Sequence, residues 1–241
     1  MKFEIIRLLT PDHRMFFTLS NPAGETLAER LLNANSVSVT VQLDSSSAAS
    51  PVSDKKTSFA DFLALGVKHI GTGYDHLLFL FALLVVTRSF RSALVVITAF
   101  TLAHSLTLAV ATLNLVALPR NLTEPLIAAT ILYVGVENVA RRGDPPKRWL
   151  LTFVFGLIHG FGFASVLREM GVGARAGGVA MPLFSFNLGV ELGQVVVAAI
   201  VLPLVWKLRT KECFLRRGVP ACSVAVALAG GYWFVQRVWL S

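Results

Sequence analysis

The chain has 241 residues, of which 54% are hydrophobic and only 15% charged, and its mean hydropathy is +0.66. A soluble globular domain carries about 25% charged residues, so the composition argues against one and for an integral membrane protein. The formal net charge of +8 does not mark a nucleic-acid-binding protein, because Lys and Arg sit mainly in short loops between apolar blocks, as membrane topology requires.

Residues 1–57 are polar and mixed. The stretch Ser36-Val-Ser-Val-Thr-Val-Gln-Leu43 alternates strictly, which predicts a β-strand. Asn21-Pro-Ala-Gly24 predicts a turn, and Asp44 to Ser53 reads as a flexible linker. So few residues rarely make a stable core alone, so 1–57 is expected to be an extramembrane, β-containing remnant of a larger periplasmic domain. Met1-Lys-Phe-Glu4 is not followed by an apolar run of signal-peptide length.

From residue 58 onward the apolar mass falls into blocks. A helix needs about 20 such residues to cross about 30 Å of hydrocarbon. Six blocks qualify: Phe62–Val86, Ser92–Val116, Glu124–Ala140, Trp149–Leu167, Pro182–Trp206 and Ala221–Leu240. The expected fold is all-α, with about six transmembrane helices in a bundle over 58–241. Arg88 and Arg91, then Arg141, Arg142, Lys147 and Arg148, then Lys207, Arg209, Lys211, Arg216 and Arg217 load alternate loops. The other side carries only Arg120, Arg168 and Arg175. The heavily basic side is therefore expected in the cytoplasm, with both termini outside a bacterial inner (plasma) membrane.

Polar groups are costly in hydrocarbon and tend to mark function. Of five histidines, His13 lies in the polar segment, while His69, His76, His104 and His159 fall inside spans. Seven residues of helix turn about 700°, so His69 and His76 share a face, but about 10 Å apart along a straight helix. Gly71 and Gly73 are positioned to break that helix and bring the two imidazoles together. Asp75 suits a cation ligand or an imidazole partner. In the second span Thr98, Thr101, His104 and Ser105 are spaced to line one face. The third carries Thr130, Tyr133, Glu137 and Asn138. In the fourth, Gly156 and Gly160 permit close helix approach and would put His159 at a tight contact. The fifth carries Asn187, Glu191 and Gln194. Taken singly, each histidine reads equally well as a hydrogen bond between helices; together they suggest one site or one pathway.

Imidazole suits Zn, Cu, Fe and Ni, and carboxylates broaden the range. The expected ligands of a divalent transition metal (Ni, Co or Zn) are His69, Asp75, His76, His104, His159 and Glu137, supported by Asn187, Glu191 and Ser105. Cys213 and Cys222 form no C-x-x-C pair and read as free thiols. Three functions fit: a metal permease, an intramembrane zinc hydrolase with an open coordination position, and a proton relay needing no metal.

The motif His69-x5-Asp75-His76, within Gly66 to Phe79, resembles the signature of the HupE/UreJ family. So do Thr98 to Leu108 and Phe155-Gly-Leu-Ile-His-Gly-Phe-Gly-Phe-Ala164. The resemblance covers most of residues 58–200. It implies a membrane protein of hydrogenase or urease maturation, in some members a nickel permease, with His69, Asp75, His76 and His159 as ligands. Better-characterised permeases of the family carry a second histidine and a glutamate after the fourth-span His-Gly; here Gly162 and Phe163 stand there, as in a divergent branch with an outer N-terminal segment. The leading expectation is a permease or binding protein for nickel or cobalt. An accessory protein with maturation-system partners, or a homo-oligomer in the bilayer, is the further alternative. Enzyme activity is left open, leaning against.

Overall fold

The computed structural model describes residues 2–4, 15–20, 26–32, 38–40, 58–141, 147–170, 172 and 178–239. Two compact units divide the chain, Met1–Lys56 and Thr57–Ser241. In the first, β1 (Lys2–Glu4) pairs antiparallel with β4 (Ser38–Thr40), and β2 (Met15–Ser20) with β3 (Thr26–Leu32). The expected turn at 21–24, the linker at 44–53, His13, Arg142 and Arg175 lie outside the described residues.

Every regular element described in the second unit is helical: α1 (Phe59–Thr72), α2 (Tyr74–Leu84), α3 (Phe90–Thr112), α4 (Arg120–Arg141), α5 (Arg148–Gly160), α6 (Ala164–Glu169), α7 (Ala180–Arg209) and α8 (Val219–Trp239), the last preceded by a π turn at Phe214–Gly218. A capping box starts α1. The Ser58 hydroxyl accepts from the Asp61 amide at 3.3 Å, and the Asp61 carboxylate accepts from the Ser58 amide at 2.8 Å.

Three stretches are long and apolar enough to cross a membrane: Phe90–Thr112, Ala180–Arg209 and Phe214–Trp239. The other expected blocks take different forms. The block at 62–86 is divided at Gly73, which leaves the helical region with φ −81° and ψ 90°. The block at 149–167 is split into the 13-residue α5 and the short α6. The third lies within α4, whose 22 residues include Arg120, Glu124, Glu137 and Arg141.

Small residues set the helix pairing. A Cβ on Gly66 of α1 would meet the Phe186 carbonyl of α7, and one on Gly189 would meet the Leu63 carbonyl in return. Gly156 and Gly160 press α5 against Phe100 and His104 of α3, and Gly135 and Gly230 do the same between α4 and α8. Close backbone approach is the chief source of helix association where lipid offers no hydrophobic gain. Around these seams Phe79, Phe100, Phe186, Leu108 and Ile131 are fully buried. The outer surface is apolar: Leu102, Ile200 and Leu228 are each more than half exposed, as lipid-facing side chains are.

Polar side chains gather where helices end. At one end Arg209 of α7 donates to the Val86 and Thr87 carbonyls beyond α2, and Trp206 to Thr87. There too Asn138 donates to the Ala82 carbonyl and accepts from Arg148. Elsewhere Arg168 takes the Ala111 carbonyl at the end of α3. These contacts add partners to carbonyls at or just beyond helix ends, where the helical ladder runs out.

Candidate metal centre

The break at Gly73 builds the site. A straight helix would hold His69 and His76 two turns apart, whereas here their ring centroids lie 4.7 Å apart. A Cβ on Gly73 would stand 2.7 Å from the His69 carbonyl and 3.2 Å from Nδ1 of His76, so only glycine leaves both groups their room. The α3–α5 seam brings in the rest, because Gly160 lets α5 approach the His104 backbone.

One potential ligand atom from each of His69, His76 and His104 lies within 4.8 Å of the other two. Nitrogens around a tetrahedral ion at 2.0–2.1 Å stand about 3.4 Å apart. Contraction of roughly an ångström, within side-chain torsion, would close this ring around an ion. His104 and His159 are fully buried, and His76 is 8% exposed. Nε2 of His69 and Nε2 of His104 are buried with no hydrogen-bond partner. A buried polar atom without a partner costs about 1–3 kcal/mol, and a bound cation would recover that cost. The donor set therefore fits a divalent transition metal.

His104 is held from behind. Its Nδ1 lies 3.1 Å from Oδ1 of Asn187, whose amide donates to the Leu183 carbonyl at 2.8 Å. His159 stands beside the cluster, with Nδ1 3.4 Å from Nε2 of His76 and Nε2 2.9 Å from the Thr130 hydroxyl. The walls are phenylalanine. The Phe163 ring lies 4.3 Å from that of His69, Phe100 5.2 Å from His159, and Phe186 5.5 Å from His69.

Two expected ligands are engaged elsewhere. The Asp75 carboxylate is held by both its oxygens on Arg237 of α8, at 2.9 and 3.1 Å. This guanidinium reaches Asp75 from 162 positions along the chain, too remote for spacing to foresee. Glu137 pairs with Arg141 at 3.3 Å, one turn on, near the end of α4. Its Oε2 is buried without a partner. Of the supporting residues, Asn187 contacts a cluster histidine. Glu191 accepts from Thr98 at 2.7 Å, and Ser105 donates back to the Thr101 carbonyl at 2.6 Å. The hydroxyl of Thr130 and the ring of Phe163 carried no specific sequence signal for the roles they take here.

A family model described as HupE / UreJ protein matches residues 45–237. No curated protein and no solved structure is significantly similar to the chain.

Proposed function

Because the chain belongs to the HupE/UreJ family, we propose that it carries a divalent transition-metal ion, nickel or cobalt first, through the membrane by way of the His69–His76–His104 cluster. That triad, two of whose members the break at Gly73 draws together, is the observation that carries the reading. Among the described residues no carboxylate belongs to the cluster. Three neutral imidazoles can ligate a divalent ion but add no counter-charge to hold it, and a conducting site must bind its ion and still release it. Glu191, hydrogen-bonded to Thr98, and Glu137, with one buried oxygen unpartnered, would offset the ion's charge along the path or carry coupled protons.

In this reading the six apolar blocks form six passages, two of them made of paired shorter helices. The basic loops face the cytoplasm, and both termini and residues 1–57 lie outside the inner membrane. The test is uptake of radioactive nickel or cobalt by cells expressing the protein. Wild type should accumulate ion above the empty-vector level, while His76→Ala and His104→Ala should not. Equal accumulation by wild type and His76→Ala removes the reading.

A second reading has one observation in its favour. Three imidazoles at one point, with no fourth ligand grouped with them among the described residues, are also the donor set of catalytic zinc. An intramembrane zinc hydrolase would retain one equivalent of zinc through purification. A permease would lose its ion on dialysis.

A further inference from the structure

His159 is the imidazole that the triad leaves over, and its two hydrogen bonds run in a definite direction. The Thr130 hydroxyl has one proton. It lies 2.7 Å from the Ile127 carbonyl, a group that can only accept, so the proton goes there. The same oxygen lies 2.9 Å from Nε2 of His159. With its proton already committed, the oxygen can only accept from that ring, so Nε2 of His159 carries the hydrogen. Nδ1 of a neutral His159 is then a bare lone pair. It faces Nε2 of His76 at 3.4 Å, which must in turn be the donor. The outcome at the end of the series is that Nδ1 of His76 keeps its lone pair. This nitrogen has no hydrogen-bond partner among the described residues, and it is the one beside which Gly73 leaves space.

We propose that His159 is a positioning residue, not a ligand: the relay Ile127 carbonyl, Thr130 hydroxyl, His159, His76 fixes the tautomer of His76 and so presents its Nδ1 to an ion. The proposal rests on the metal-site reading above and deepens it. Asn187 does for His104 what His159 does for His76. Its amide group donates to Leu183, so its oxygen faces Nδ1 of His104, holds the hydrogen there, and leaves the buried Nε2 bare. The two ligands are thus aimed by different outer partners from different helices, one through α5 and α4, the other through α7. Reversing the polarity of the relay would put hydrogen on Nδ1 of His76 and use the lone pair of Nε2 to accept from His159. The ring would then have nothing left to offer a cation. Direction therefore decides whether His76 can serve. Outer-shell partners of metal-binding histidines commonly contribute 10–100-fold in affinity.

Two measurements on the full chain in detergent or nanodiscs test this. Nitrogen-15 NMR of the metal-free protein reads imidazole tautomers directly. His76 and His159 should be Nε2-protonated and His104 Nδ1-protonated. Thr130→Val, nearly the same shape, should abolish the preference at His76, and Thr130→Ser should keep it. Cobalt(II) titration, followed by the visible ligand-field spectrum, reads the site. Wild type and Thr130→Ser should bind alike. Thr130→Val and His159→Gln should bind the same number of ions with an unchanged spectrum, about 10–100-fold more weakly. A spectrum altered by His159→Gln but indifferent to Thr130→Val would make His159 a ligand and overturn the relay. Finding His76 protonated at Nδ1 would overturn it too. If wild type takes up no cobalt, the metal reading falls, while the tautomers still decide the relay.

Discussion

Asn187 decides which nitrogen of His104 stays available, and it does so with one amide oxygen at 3.1 Å. Replacing it by Leu keeps the number of side-chain heavy atoms and removes the acceptor. Cobalt binding should weaken about 10–100-fold with stoichiometry unchanged, which calorimetry or spectral titration would show. Asp75 makes the opposite case. Its neighbour in sequence is a cluster histidine, yet its carboxylate is bound by Arg237. Asp75→Asn should leave cobalt stoichiometry intact and cost about 1.5–3 kcal/mol of stability, seen as a lower unfolding temperature in detergent. Loss of the ion in that variant would restore Asp75 as a ligand. The four imidazoles of the spans were legible because nothing else in an apolar block resembles them. The partners of the carboxylates were legible only in part. Arg141 lies one helical turn from Glu137 and was open to the i, i+4 rule, but Arg237 lies on another helix at the far end of the chain.

Among the elements, the seams between helices govern whether the imidazoles meet. A Cβ at Gly160 would run into the Thr107 hydroxyl and stand 2.5 Å from the His104 carbonyl. Gly160→Val should force α3 and α5 apart, destabilise the protein by about 3 kcal/mol, and abolish cobalt binding. Gly231→Ala is the control, because nothing stands nearer than 3.8 Å, and both properties should be those of wild type. The G-x-x-x-G spacing announced the first of these contacts from sequence alone. Hydropathy was a poorer guide to element ends. It sums transfer energies over a window and is blind to a single residue's dihedrals, so Phe62–Val86 read as one span although Gly73 divides it. In the same way Trp149–Leu167 hid the end of α5 at Gly160.

At the scale of the molecule, charge and apolar surface are separated in the way a bilayer demands. Arg148 and Arg209 sit with the ends of α2, α4 and α7. Cys213 lies among the basic residues just before α8, and it is free and exposed. In a Cys222→Ser background, a membrane-impermeant maleimide should label Cys213 only in inverted vesicles or opened cells. Labelling of intact spheroplasts would reverse the assigned orientation. The membrane character and the family were readable from blocks and motifs, because both are written in local sequence. How the helices pair was not, since it depends on which glycine meets which backbone.

Phe163 lies against His69 at 4.3 Å and stacks on Phe186 at 4.9 Å, so hydrocarbon borders the imidazoles on that side. That ring brings no charge to the imidazoles. On the permease reading, exchanging it for glutamate would lend the ion a counter-charge beside the imidazoles, and residence time would then govern throughput. Such a protein would fill readily and empty slowly, hoarding its passenger, and a fast chelator-quench experiment would time the delay.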